Sequence, residues 1–209
     1  MPPNPPSPEH PAQDPAVRAA VRAALRREKI AARAALSAAD HATRSRQIEA
    51  ALAAVLDTLA AKLGRAPQLG FCWPHQGEFD ARGLVERLLT RGWTACLPVV
   101  VAEETPLAFR PWTPDSPLAP DRYGIPTPSA GEFVTPGVLL IPLVAVDPRN
   151  YRIGYGGGFF DRTLAALAAA GHRATAIGVG FELARVADTL PGPHDIPLDF
   201  VVTERGSAG

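Results

Sequence analysis

The spacing of apolar positions changes character near residue 67. Before that point it is helical. From Pro15 to Leu36 the chain is rich in Ala, Arg and Leu, with neither Gly nor Pro after its first residue, which favours a helix. Ser37 with Asp40 three residues later reads as a capping box that opens a second helix. There Ile48, Leu52, Val55, Leu56, Leu59 and Leu63 fall at i, i+4, i+7, i+8, i+11 and i+15, forming one apolar face, and Gly64 is the stop. After Pro67 short apolar runs alternate with helical ones: strand QLGFCW, helix DARGLVERLLTRG, strands WTACLPVVV, LAFRPW and VLLIPLVAV, helix RTLAALAAAG, strand ATAIGVG and a last strand near LDFVV. This order predicts a single α/β domain of Rossmann-like type, a mostly parallel twisted sheet with helices on both faces. Ligands of such sheets gather at the carboxyl ends of the strands. The proline-rich stretch from Thr113 to Pro136 reads as a long irregular loop, a feature that in compact domains is often functional.

Composition narrows the function classes. With 209 residues and 46% hydrophobic content, the chain suits one well-buried domain, placed at residues 16–205 behind a disordered proline-rich tail at 1–15. That tail has seven prolines in fifteen residues and lacks the basic and apolar regions of a signal peptide. The longest apolar run, GVLLIPLVAV, is half of the roughly 20 residues a membrane helix needs. A cytoplasmic protein without a membrane partner is the expectation. Twenty-one basic residues balance 21 acidic ones, so no global field draws the chain to nucleic acid, and any basic site is local. Cys72 and Cys96 form no CxxC pair and the histidines no HExxH, so two core thiols without zinc are expected.

Four local constellations carry chemistry. In RIGYGGGFFDR, Gly154, Gly156, Gly157 and Gly158 follow the most apolar run and precede a helix. Without Cβ atoms the backbone there can bring successive N–H groups to an anion, beside a positive helix end. The Walker A pattern GxxxxGK(S/T) and the dinucleotide pattern GxGxxG are both absent. Arg152 would supply a guanidinium fork, and Asp161 would hold magnesium or cap amides. A tight turn with Asp161 as a plain cap fits the same residues. Secondly, Arg18, Arg22, Arg26, Lys29 and Arg33 share one helical stripe at about 100° per residue. Such a stripe is either a solvated basic face or a seat for phosphate or carboxylate, and the like charges cost roughly 0.2–0.5 kcal/mol per pair unless an anion offsets them. Thirdly, FCWPHQGEFD presents Trp73 and then Glu78: an aromatic platform and an acceptor suited to a flat heterocycle with N–H donors, or a core Trp and a first-turn Glu. Lastly, Asp195 precedes the final strand, as a second magnesium carboxylate or a turn-forming Asx.

Taken together, LRREKIAARAALS, PHQGEFD, CLPVV, YGIP, IPLVAVD, RIGYGGGFFDR and HDIPLDFVV resemble, in order, the 5-formyltetrahydrofolate cyclo-ligase (methenyltetrahydrofolate synthetase) family, from about Val17 to Glu204. The resemblance implies an α/β enzyme using ATP and magnesium to cyclise 5-formyltetrahydrofolate, in some cases polyglutamylated, to 5,10-methenyltetrahydrofolate with release of ADP and phosphate. It places Arg22, Arg26, Arg152, Ile153, Gly154, Tyr155, Gly156, Gly157, Gly158, Phe159 and Phe160 at ATP. Arg26, Trp73 and Glu78 would meet the folate, Asp161 and Asp195 the magnesium, and Arg152 and Asp161 would be catalytic. No nucleic-acid partner is implied, and the assembly expected is a monomer or weak homodimer. Four positions depart from the family pattern: Arg22 stands where Lys is usual, Phe159 and Phe160 where two tyrosines are common, and Thr127 where Glu or Gln is common.

Two other functions stay open on sequence grounds. One is a relative acting on another formamide, such as a product of thiamine breakdown. The other is a nucleotide-binding protein of RNA metabolism, disfavoured by the zero net charge and by the lack of an RNP-type segment.

Overall fold

The computed structural model of the protein describes residues 14–208. The tail up to Gln13 lies outside the described residues, whereas Asp14 and Pro15, read with that tail, form the start of α1 (Pro15–Ala34). The Asp14 carboxylate accepts the Ala16 amide at 2.8 Å and Pro15 takes the first helical position, where its missing N–H costs nothing. In α2 (Ala38–Leu63) the Ser37 hydroxyl accepts the Asp40 amide at 3.0 Å and donates to the Asp40 carboxylate at 2.7 Å. Gly64, at φ 64°, ends this helix, and Ile48, Leu52 and Leu56 are fully buried.

The main sheet is built from β1 (Gln68–Gly70), β2 (Thr94–Val99), β3 (Ala108–Trp112), β6 (Val138–Pro142), β9 (Thr175–Val179), β10 (Phe200–Thr203) and β11 (Gly206–Ala208). Its order is β11-β10-β9-β6-β1-β2-β3; the five inner strands are parallel, and β3 and β11 run antiparallel at the edges. Side chains alternate as the two-residue period requires. Leu69, Leu97, Leu140, Ile177 and Val202 face one cluster with α2 and α3 (Arg82–Leu89), while Cys96, Leu139, Ile141, Ala176 and Val201 face another with Leu164 of α4 (Phe159–Ala169). From β1 the chain moves to β2 on one side and later returns as β6 on the other. The crevice beyond the carboxyl ends of β1 and β6 is therefore the topological switch point, where ligands of such folds sit.

Four expectations change. The apolar run at 138–146 is two strands, because Pro142 interrupts it: β7 (Ala145–Val146) leaves the sheet and pairs with β8 (Arg152–Ile153). The stretch 113–136 holds a hairpin of β4 (Leu118–Pro120) and β5 (Pro126–Pro128), closed by Asp121, whose carboxylate accepts the amides of Tyr123 and Ile125. The helix expected over DARGLVERLLTRG is reduced to α3, since Asp80 spends its carboxylate on the Arg82 side chain and amide. Finally, α1 packs on neither sheet face. Its one buried residue is Arg33, and it lies across the loops at the carboxyl edge through its arginines. No helix among the described residues is long and apolar enough to cross a membrane.

Close packing of the central strand leaves no space at Gly70, where an added Cβ would stand 2.6 Å from Leu139 Cδ2 and 3.3 Å from Pro136. Gly70→Ala is expected to destabilise the protein by about 1–3 kcal/mol. The effect would appear as a lower urea midpoint with an unchanged slope.

Candidate active site

A cleft of about 530 Å³ opens at the switch point. Its walls come from α1, the loops after β1, β2 and β6, the β4–β5 hairpin, the glycine segment and the loop at Asp195. Arg22, Arg26, Trp73, Glu78, Arg152, the glycine segment from Gly154 to Phe160, Asp161 and Asp195 all line it. Ile153 does not; it is fully buried in β8 behind the loop.

The glycine segment links β8 to α4. Gly156 (φ 105°) and Gly158 (φ 64°) occupy backbone regions that side chains rarely enter, and Gly158 is the N-cap of α4. Among the described residues the amides of Gly156 to Asp161 donate to no protein oxygen, leaving a row of N–H groups at a helix N-terminus. Arg26 closes the other side: its Nε donates to the Gly154 carbonyl at 2.7 Å, and its guanidinium stands 3.6 Å from where a Gly156 Cβ would be. Burial, and then the neighbouring Arg22 charge, lower the Arg26 pKa. The donor set, amides plus guanidinium, fits phosphate oxygens.

Beside this row stand two Arg–Asp forks. Arg152, 5% exposed in its side chain, donates from Nη1 and Nη2 to the two oxygens of Asp161 at 3.0 and 3.1 Å. Asp161 also accepts the Ile196 amide at 3.0 Å, so it ties the Asp195 loop to α4 and caps no amide of its own helix. Arg22 donates to both oxygens of Asp195 at 2.9 and 3.1 Å and to the carbonyls of Thr189 and Leu190, while the Gly192 amide reaches Asp195 at 2.6 Å. Arg152, read as a fork for phosphate, thus has its fork closed on a carboxylate. Each aspartate uses three of its roughly four lone-pair sites on protein donors. One acceptor position on each fits a magnesium ion that takes one or two carboxylates and completes its shell with phosphate and water. Among the described residues no group of three or more His, Cys, Asp or Glu is arranged to hold a metal ion, so an all-protein metal cage is not offered.

The third corner holds Glu78, 7% exposed. Its Oε1 accepts the Tyr155 hydroxyl at 2.7 Å and its Oε2 the His75 amide at 3.0 Å. Burial raises its pKa, opposed by those hydrogen bonds and by the charges of Arg33 and His75. Trp73 lines the cleft with one ring face taken by Arg82, whose guanidinium carbon lies 4.4 Å from the ring centroid. Cys72 also lines the cleft and Cys96 lies in the core; both are free thiols.

The basic stripe is divided between these tasks. Arg22 and Arg26 serve the cleft, Arg18 approaches Gly192 and Lys29 pairs with Glu28 at 3.3 Å. Arg33, read with them as an anion seat, is a buried strut instead, donating to the Gln76 and Leu143 carbonyls and to Tyr155 Oη. Sequence reasoning missed His75 and the link from Tyr155 to Glu78. His75 lies three residues before Glu78, a local signal; Tyr155 is 77 positions away and gave none.

The 5-formyltetrahydrofolate cyclo-ligase family model matches residues 18–204, which span every wall of this cleft. The chain belongs to the 5-formyltetrahydrofolate cyclo-ligase family. It is thus a member of an enzyme family. The chain is 30% identical over 141 residues to the 5-formyltetrahydrofolate cyclo-ligase of Haemophilus influenzae, a match covering 64% of this chain and 74% of the relative. It is 35% identical over 133 residues to that of Escherichia coli strain K12, covering 61% and 72%. Two solved structures share the fold. A 5,10-methenyltetrahydrofolate synthetase of Aquifex aeolicus superposes with a TM-score of 0.71 at 24% identity, over 90% of this chain and 91% of that one. One of Mycoplasma pneumoniae gives 0.68 at 23%, over 88% and 98%.

Because its pKa is higher in the folded state than in the unfolded chain, Glu78 makes the folded protein bind more protons between those two values. Its contribution to stability is present below the ordinary carboxylate range and lost as pH rises through the raised value. Glu78→Gln cannot ionise, so its stability relative to wild type is expected to increase with pH across that window. Thermal melts of both proteins from about pH 4 to about pH 8 measure this.

Proposed function

We propose that this enzyme catalyses the ATP- and magnesium-dependent cyclisation of 5-formyltetrahydrofolate to 5,10-methenyltetrahydrofolate, with ADP and phosphate as the other products. The observation that carries the reading is the meeting, in one cleft, of an amide row with no protein acceptor among the described residues, two arginine-held carboxylates and a buried glutamate beside an indole.

The chemistry explains why those parts belong together. A formamide carbon is a poor electrophile and its oxygen a poor leaving group. Transfer of the γ-phosphoryl group to the formyl oxygen breaks the bond to ADP and leaves an iminium-like formyl phosphate. The N10 amine then attacks the formyl carbon, the oxygen departs with phosphate, and the N10 proton is released. No side-chain nucleophile is needed, so the protein's contribution is positioning and charge.

In this reading the amides from Gly156 to Asp161 and the Arg26 guanidinium cradle the phosphates. Arg152 holds Asp161 in place through its two hydrogen bonds, as Arg22 does Asp195. Bound at those two carboxylates, magnesium would supply charge neutralisation on the phosphate oxygens. Glu78 accepts N–H donors of the pterin, and the Trp73 indole on the cleft wall packs against its ring.

Methenyl-folate formation, followed by its absorbance, is expected to require ATP, magnesium and 5-formyltetrahydrofolate together, with ADP release dependent on the folate. Folate-independent ADP release without methenyl product would refute the assignment. Asp161→Asn, assayed together with its melting temperature, is expected to lower kcat by about a hundredfold or more, the scale of several kcal/mol of lost charge stabilisation. Wild-type turnover in that variant would remove Asp161 from the magnesium site.

A further inference from the structure

Tyr155 belongs by sequence to the glycine segment, among residues expected at the nucleotide, yet its hydroxyl is engaged elsewhere. It donates to Glu78 Oε1 at 2.7 Å and accepts from Arg33 Nη2 at 2.7 Å, while its ring stands edge-on to His75 with centroids 5.5 Å apart. The opposite oxygen of Glu78 is held by the His75 amide. Each oxygen of a carboxylate buried to 7% exposure therefore has one protein donor, one from the loop after β1 and the other from the glycine segment, which orients the group and leaves an acceptor site on each oxygen.

We propose that Tyr155 is the positioning residue for Glu78: its hydroxyl aims the buried carboxylate at the folate and makes that subsite depend on the conformation of the segment that cradles the nucleotide. The claim deepens the function proposed above and rests on it for the identity of the ligand. A tyrosine is suited to the task because its hydroxyl both accepts from a cation and donates to an anion, so it transmits the Arg33 charge to Glu78 without a direct ion pair. The groups facing Glu78 are Arg33 from α1, His75 and the Cys72 thiol from the loop after β1, and Tyr155 itself. Of these, Tyr155 alone comes from the glycine segment.

Tyr155→Phe tests the claim, since the residue is 41% exposed and loss of one oxygen leaves the ring packing in place. Two readouts are expected to move. In the ligand-free protein the Glu78 carboxyl, followed by carbon-13 NMR and identified by its absence in Glu78→Gln, titrates at higher pH than in wild type, because a donor to the charged form is gone. In turnover the KM for 5-formyltetrahydrofolate rises by about tenfold or more, the range for a hydrogen bond to a charged group, with the KM for ATP held at the wild-type value. An unmoved Glu78 titration overturns the proposal, as does a loss that falls on the ATP KM and spares the folate. If wild type forms no methenyl-folate, the proposed function fails. The NMR titration still decides whether Tyr155 governs Glu78.

Discussion

Arg33 carries a full charge at 5% exposure, with no carboxylate among the described residues paired to it. A buried charge without compensation costs several kcal/mol, so the surroundings have to answer it. They do so with two carbonyls and one hydroxyl, and the balancing negative charge, Glu78, stands on the far side of that hydroxyl. Each charge offsets part of the other's burial cost. Between them they bind α1, the loop after β1, the turn after β6 and the glycine segment into one wall, which is why a helix with no buried apolar side chain still has a fixed place in the fold.

The same logic recurs along α1. Arg22 closes on Asp195 and Arg26 on the Gly154 carbonyl, while Arg152 closes on Asp161 from the opposite wall. A chain with 21 cations and 21 anions has no net field, yet it concentrates both signs at one sheet edge, in forks whose desolvation is offset by paired geometry. The consequence for function is preorganisation. Amides, guanidinium groups and carboxylates are already oriented by one another, so little reorganisation is left for the reacting groups to drive.

The departures from the family pattern acquire physical content in this frame. Phe160 sits 5.9 Å from the Arg152 guanidinium and packs on the core, and Phe159 meets Tyr123 edge-on at 6.2 Å. Both rings line the cleft and pack on neighbouring side chains. Thr127 is buried in β5, behind the cleft lining, whereas its neighbours Ile125 and Pro126 reach the cleft. Arg22, in place of the usual Lys, makes a bidentate fork to Asp195 and spans two carbonyls besides, which a single ammonium cannot reproduce.

Much of this was legible in residue order, because it rests on local physics. The 3.6-residue period and Ser37 cap placed α2, the alternation of short apolar runs placed the parallel sheet, and the glycines before a helix marked the segment that opens α4 on the cleft. Motif content also named Arg22, Arg26, Trp73, Glu78, Asp161 and Asp195, which converge on one cleft. What periodicity could not resolve was partnership. A stripe of five cations reads the same whether each faces solvent, a ligand or a carbonyl, and the difference between Arg26 and Arg33 lies in residues more than 40 positions away. Likewise Pro142 splits an apolar run that looks continuous, because strand length depends on hydrogen bonds to β9, which only the assembled sheet supplies. Burial and pairing of charge are properties of the tertiary structure, since the dielectric around a side chain is made by segments distant in sequence.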